Sequence, residues 1–339
     1  MYSLLRPLIF RLDPEVAHDL TVSLLRLVGA LPFGRYVLKE IYRAHSRSKI
    51  EAFGLEFPNP VGLAAGYDKD GLAWRGLAGL GFGHLEIGTV TPEPQAGNPK
   101  PRVFRLPEEQ AVINRMGFPG RGAEHLAQRL RGARGRGFVL GVNIGKNRDT
   151  PNEEAARDYL PLMRAFAPLA DYIAINVSSP NTIGLRRLQA REALDGLLSV
   201  LSAERAKLLP VLGRQLPLLV KLAPDLNDNE LDDALEVITR TGMDGVIATN
   251  TTVSREGLRS PIRNEAGGLS GEPLRRLSTE MVRKIAERTA GRLPVIGVGG
   301  IMTPDDAKEK LDAGAALVQV YTGLVYKGPG LVKEIVKAI

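Results

Sequence analysis

Ten polar residues stand directly after short apolar runs: Lys69, Thr89, Asn143, Asn176, Ser179, Asn181, Lys221, Thr249, Asn250 and Thr251. Asparagine, threonine and lysine in such places can bind a polar ligand, and a hydroxyl such as Ser179 can move a proton if a relay assists it. Taken singly, each asparagine is more simply a turn residue, Ser179 in Ser178-Ser179-Pro180-Asn181 a turn serine, and Lys221 a surface lysine. Their recurrence after one apolar run after another favours a shared polar pocket. A second signal is glycine. Gly297-Val298-Gly299-Gly300 and Gly267-Gly268-Leu269-Ser270-Gly271 follow apolar runs, and Tyr321-Thr322-Gly323 ends the last one. Small residues let backbone N–H groups approach an anion, so these segments point to a phosphorylated ligand.

The chain of 339 residues contains no cysteine. That excludes disulfides, zinc ribbons, iron–sulfur clusters and thiolate nucleophiles, and no metal site is expected. The net charge of +7 suits an anionic substrate or an anionic membrane surface, or is simply that of a basic soluble protein. No basic run reaches five residues, so nucleic acid is not expected as a partner.

The elements that must hold these residues form two regions. Up to about Ser46 the pattern is helical. Asp13-Pro14-Glu15 is a helix start, and Val16, Ala17, Leu20, Leu24, Leu27, Val28 and Leu31 follow at helical spacing, with Gly29 and Pro32 marking the end. Leu4, Leu5, Leu8, Ile9 and Leu12 form an earlier apolar patch beside Arg6 and Arg11. No stretch is long and apolar enough to span a bilayer, and the N-terminus does not read as a secretory signal. Ile50 to Phe57 reads as a small hairpin around Gly54.

Then a strand–helix theme repeats. Its apolar segments begin at Val61, His84, Val139, Tyr172, Leu216, Gly245, Leu293 and Ala316, which makes eight. Near-continuous apolar strands alternating with helices indicate a parallel sheet, and eight units favour a closed (β/α)8 barrel, an α/β TIM barrel with a small helical N-terminal extension. A doubly wound sheet is the alternative, but Ala64-Ala65-Gly66-Tyr67-Asp68-Lys69 is not its dinucleotide fingerprint. Pro101–Leu106 and Ala111–Arg115 read as a hairpin on the barrel top, and Thr252 to Gly271 as a mobile loop. The expected division is residues 1–46 and 47–339. Flavin oxidoreductases, aldolases and isomerases all fit such a barrel.

From Phe53 onward the chain resembles the dihydroorotate dehydrogenases. The blocks that carry the likeness are Asn59 to Lys69, Glu86 to Pro92, Asn114 to Phe118, Asn176 to Thr182, Asp244 to Thr252 and Gly297 to Ile301, in that order. The resemblance implies FMN. Ala65, Gly66, Tyr67, Asp68, Lys69, Thr89, Asn143, Asn176 and Thr249 would line its ring and ribityl chain, and Gly271, Gly300, Tyr321 and Thr322 would hold its phosphate. Lys221 would supply a cation for the reduced flavin. The substrate would be a small cyclic imide bearing a carboxylate, met by Lys69 and by Asn114, Asn176, Asn181, Asn250 and Thr251. Arg115, Met116, Gly117 and Phe118 would wall the pocket.

Ser179 would be the general base, with Thr182 and Phe118 supporting its relay. The family's soluble members, which reduce fumarate or NAD, use a cysteine there. The serine form goes with the membrane-associated, quinone-reducing class and its helical N-terminal extension. A two-helix flap with Leu- and Val-rich inner faces would form the mouth of a tunnel and rest on lipid, with His18, Arg105 and Tyr321 as quinone contacts. The implied setting is a monomer bound peripherally to the cytoplasmic face of the inner membrane, serving pyrimidine biosynthesis. Soluble dihydroorotate dehydrogenases, other FMN barrels, tRNA-modifying flavin barrels and non-enzymatic phosphate-binding barrels are the rival readings.

Overall fold

Val, Ile and Leu dominate eight short runs, and each forms a buried parallel strand. In chain order these are β1 (Val61–Leu63), β2 (His84–Val90), β3 (Val139–Ile144), β4 (Tyr172–Asn176), β5 (Leu218–Leu222), β6 (Gly245–Ala248), β7 (Val295–Val298) and β8 (Ala315–Val320). β8 pairs with β1, which closes the barrel. The computed structural model describes residues 2–43, 46, 49–135 and 137–339. All eight expected strands are present in the expected order.

Two apolar layers hold the barrel. The outer one lies between strands and helices, with Leu85, Ile87, Leu140, Val142, Ile173 and Ile175 among its fully buried residues. The inner one fills the barrel, with Ala174, Leu219, Ile247, Ile296 and Leu317. Ile50–Ala52 pairs antiparallel with Leu55–Phe57, the expected hairpin, and its Phe53 and Phe57 belong to the inner layer. Large rings lie against strand glycines: a Cβ on Gly141 would stand 2.1 Å from the Tyr172 ring, and one on Gly62 would overlap His84. Large-against-small packing of this kind is how a barrel interior fills.

The top of the barrel carries a small antiparallel sheet. Val103–Leu106 and Ala111–Asn114 form the expected hairpin, and Gly268–Gly271 adds a third strand to it. The stretch Thr252 to Gly271 is therefore not wholly loop. Thr252 bridges Leu269, and the backbone of Gly268–Gly271 pairs with Ala111–Asn114, giving its polar groups partners despite the glycines.

The N-terminal region has three helices where two were expected: α1 (Tyr2–Ile9), α2 (Pro14–Ala30) and α3 (Pro32–Tyr42). Pro32 does end α2, but it also occupies the first turn of α3, where its missing N–H costs nothing. Asp13 caps α2 as expected, accepting from the N–H groups of Glu15 and Val16 at 2.9 and 3.1 Å. The proposed boundary at residues 46 and 47 involves Arg47, which lies outside the described residues, as do Met1, Ala44 and His45.

α2 packs on the barrel through its small residues. A Cβ on Gly29 would lie 2.3 Å from the Gly76 nitrogen, so α2 crosses the helix Trp74–Ala78 at backbone contact. Ala17, Val22 and Gly29 are buried on this side. Val16, Leu20, Leu27 and Leu31 therefore face outward, more than half exposed, instead of inward as expected, whereas Leu24 and Val28 of the same helix line the cleft between helix and barrel. Leu4 and Phe33 extend this apolar surface at 79% and 76% exposure. Among the described residues no single helix is long and apolar enough to cross a membrane. α2 and α3 meet that test only together, and are bent by 111°.

Candidate active site

The strand ends converge on one cavity of about 510 Å³ that continues outward between the barrel and the N-terminal helices. Its wall contains most of the residues singled out from the sequence. Ala65, Gly66, Tyr67, Lys69, Thr89, Lys221, Thr249, Gly271, Gly300, Tyr321 and Thr322 line it, as do Asn114, Met116, Gly117, Phe118, Asn176, Ser179, Asn181, Asn250 and Thr251. His18 and Arg105 line its outer part with Leu5, Ile9, Val28 and Leu38.

Three expected residues do not reach the wall. Asp68 spends both carboxylate oxygens on the N–H groups of Leu72 and Ala73, each at 2.8 Å, and starts the next segment. Arg115 turns away to pair with Glu265 at 2.5 Å and to cover the Phe104 ring. Asn143, fully buried, lies beneath the wall and is bonded to Thr89, Asn176 and Glu86. For Asp68 and Arg115 the motif identified the neighbourhood but not the direction of the side chain. Thr182 is buried near the site without lining it.

Ser179 sits just beyond β4. Pro180 behind it disfavours a helical conformation, so the chain leaves the strand extended and turns. The Ser179 hydroxyl is almost fully buried, and its oxygen accepts the N–H of Asn181 at 3.2 Å. Asn181 in turn donates to Asn114 Oδ1 at 3.0 Å, across to the top hairpin. Asn250 donates to Ser178 Oγ at 3.1 Å and to Asn176 Oδ1 at 3.4 Å. The amides thus form two hydrogen-bonded groups on either side of the serine, Asn181 with Asn114 and Asn250 with Asn176.

Beneath them lies a buried carboxylate that was not singled out from the sequence. Glu86 on β2 is fully buried inside the barrel. It accepts from Asn143 Nδ2 at 2.8 Å, Gln319 Nε2 at 2.8 Å, Tyr172 OH at 3.1 Å and Lys221 Nζ at 3.4 Å. Its signal in the sequence was a carboxylate inside the run His84-Leu85-Glu86-Ile87, because a charge in a buried strand requires partners.

By the ends of β7 and β8 the wall is backbone and hydroxyl: Ser270, Gly271, Gly299, Gly300 and Thr322. Thr322 donates to Ser270 Oγ at 2.9 Å. Gly300 has φ +73, and a Cβ there would lie 2.3 Å from the Arg275 Cα, so the position is open only to glycine. This cradle, with Lys221, Thr89 and Thr249 deeper in the wall, has the donors and the space for a phosphorylated planar group. A flavin fits the residues present.

Outward from the cradle the rings form a ladder. His18 meets Tyr67 edge-to-face at 5.1 Å, and Tyr67 meets Tyr321 at 5.6 Å. The Tyr321 hydroxyl donates to the Gly66 carbonyl at 3.3 Å. Burial pushes the Tyr321 phenol up to about 12. Burial, with the Lys69 charge, pushes His18 down to about 3, so at neutral pH both rings are uncharged. Burial also lowers the Lys69 ammonium from its ordinary value, against the opposing pull of Asp70. Arg105 lines the cavity, but its guanidinium also holds the end of α1, donating to the carbonyls of Ile9, Phe10 and Leu12.

The family model for dihydroorotate dehydrogenase matches residues 47–339. Among curated proteins, the dihydroorotate dehydrogenase (quinone) of Thiobacillus denitrificans is 50% identical, the match covering 100% of this chain and 99% of that protein. The protein of the same name from Azotobacter vinelandii is 52% identical, with 100% and 96% covered. A crystal structure of DHODH from Eimeria tenella in complex with ferulenol superposes with a TM-score of 0.88 at 41% identity, covering 96% of this chain and 90% of the other. The ligand-free form gives 0.88 at 42% identity, covering 96% and 94%. On the full-length match and the eight-stranded barrel alike, the chain belongs to the dihydroorotate dehydrogenase family.

Proposed function

We propose that this enzyme oxidises dihydroorotate to orotate with FMN as hydride acceptor and a membrane quinone as final acceptor, in pyrimidine biosynthesis. The observation that carries the reading is the continuous cavity, which joins the glycine cradle, the amide-lined pocket at Ser179 and an apolar mouth between α1 and α2. Full-length relatives bearing the quinone name support the choice of acceptor. FMN, when bound, supplies the electron sink.

The chain's own residues do the rest. Lys69 meets the substrate carboxylate, while Asn114, Asn176, Asn181 and Asn250 read the imide edge. The Ser179 oxygen takes the proton from C5 as hydride leaves C6, while the hydroxyl passes its own proton on to a relay, so the serine ends neutral. The N–H of Asn181 at 3.2 Å steadies the oxygen while that proton is leaving. Lys221 holds positive charge where the reduced ring system needs it, and Glu86 keeps that lysine paired in the resting state. His18 and Tyr321, both uncharged, offer hydrogen bonds to a quinone without repelling its apolar ring.

The exposed Leu-rich face of α1–α3, beside Arg6, Arg11 and Arg26, suits peripheral contact with anionic lipid. A monomer at the cytoplasmic face of the inner membrane is the matching assembly. The test is Ser179→Ala in protein whose released flavin is identified by mass. FMN content should be unchanged and turnover with dihydroorotate should fall by roughly 10²–10⁴-fold, the usual worth of a positioned base. Unchanged turnover removes Ser179 from the chemistry.

A further inference from the structure

Glu86 is a fully buried carboxylate inside the barrel, and nothing in the reaction as described requires it to touch substrate. Four donors from four other strands converge on it: Asn143 of β3, Tyr172 of β4, Lys221 of β5 and Gln319 of β8. A carboxylate accepts hydrogen bonds and donates none, so each of these partners must turn a donor towards it.

That requirement propagates. Asn143 gives its NH2 to Glu86, so its oxygen faces outward, where it accepts from Thr89 Oγ1 at 2.5 Å and Asn176 Nδ2 at 3.1 Å. Asn176 therefore also turns its NH2 inward, donating to Thr89 Oγ1 at 2.9 Å as well. Its own oxygen then faces Asn250, whose NH2 it accepts at 3.4 Å. Asn250, its NH2 committed, turns its oxygen to the N–H of Thr251 at 2.8 Å. Amide groups rotate freely between two nearly isosteric states, and only the donor–acceptor order of the network selects one. Here the order runs from a single carboxylate out to two amides, Asn176 and Asn250, that line the cavity.

We propose that Glu86 is a positioning residue, which through Asn143 fixes which way the substrate-facing amides point and through Lys221 sets the charge beneath the flavin. The inference rests on the flavin reading above. It predicts two separable effects. Removing the charge leaves the Lys221 ammonium uncompensated and so favours the reduced, more negative cofactor. Removing the reach to Asn143 frees the amides and weakens a ligand that needs one fixed pattern.

The experiment uses the flavin-loaded full chain and two variants, with orotate affinity and the flavin midpoint potential as readouts. Glu86→Gln keeps the shape. Gln319 has an unpartnered Oε1 that can turn to accept the new N–H, so the core has a way to adapt. Its reduction equilibrium should shift at least tenfold towards the reduced form, about 30 mV for a two-electron couple, and orotate should bind at least tenfold more weakly. Glu86→Asp keeps the charge but falls short of Asn143, so orotate should weaken at least tenfold while the reduction equilibrium moves less than threefold. Wild-type values of both quantities in Glu86→Gln overturn the proposal. If that variant does not fold, wild-type orotate affinity in Glu86→Asp overturns it. Wild-type protein that carries no flavin refutes the cofactor reading instead, which flavin absorbance shows before either variant is measured.

Discussion

Glu15 holds the N-terminal helices to the barrel, and Glu15→Gln should release them without unfolding the rest. Glu15 and Arg102 are 9% and 7% exposed, and the guanidinium grips the carboxylate with Nη2 at 2.7 Å and Nε at 3.2 Å from both oxygens. Lys100 adds a second cation at 3.2 Å, but its side chain is 63% exposed. Breaking a buried pair by neutralising one partner costs about 3–5 kcal/mol. The glutamine oxygen keeps one of the contacts, so about 3 kcal/mol is expected, which is over a hundredfold in the docked equilibrium at 1.36 kcal/mol per decade. Hydrogen exchange should show α2 amides opening about a hundredfold faster while the barrel strands keep their protection.

The pH dependence follows the same pair. Burial alone would raise the Glu15 carboxyl, but the hydrogen bonds from Arg102 and Lys100 outweigh it and hold the group below its ordinary 4.5. A depressed carboxyl stabilises the docked state fully above 4.5, and this contribution is lost as pH falls through the lowered value. Wild-type α2 protection should therefore decline in acid, and that of the variant should not. If α2 exchanges at the wild-type rate in Glu15→Gln, or if the barrel strands open with it, the clamp is not where the structure puts it.

Deleting residues 2–42 should leave the flavin bound and abolish binding to anionic vesicles, with quinone reduction falling more than tenfold. A sedimentation assay and reoxidation kinetics check this. Gly300→Ala should weaken FMN at least tenfold without weakening riboflavin comparably, because the new Cβ meets the Arg275 backbone where the phosphate cradle lies; fluorescence titration distinguishes the two. Lys310 is buried against Ser278 Oγ at 2.6 Å and Thr279 Oγ1 at 2.9 Å, and burial lowers it to about 7. A folded value below the unfolded 10.5 means the unfolded chain binds the extra proton, so stability rises with pH between them. Denaturant midpoints of wild type should climb from pH 7 to 9.5 relative to Lys310→Met.

The barrel was legible because parallel strands covered on both faces read as apolar runs, and each run broke where polar residues began. What periodicity did not carry was direction. Val16, Leu20 and Leu27 announce an amphipathic helix, but the glycine contact at Gly29 and Gly76 decides which side meets the barrel, and it leaves these residues outside. The strand Gly268–Gly271 escaped notice because two glycines weaken any strand pattern, and its pairing with Ala111–Asn114 is non-local. The site shows the same division. Ser179, Lys221 and the asparagines were visible at run ends, whereas Asp68 and Arg115 belong to matching motifs yet turn to neighbours. Glu86 was hidden by its setting, since a lone carboxylate among apolar residues gives no hint of which four strands will meet it.

Anaerobic double mixing tests the central claim most directly: dihydroorotate first, then quinone, fumarate or NAD. A cavity that joins a serine-based substrate pocket to an apolar mouth predicts bleaching of the flavin by dihydroorotate and rapid recovery with quinone alone. Recovery with fumarate or NAD at equal or greater rates, or no bleaching at all, would contradict it.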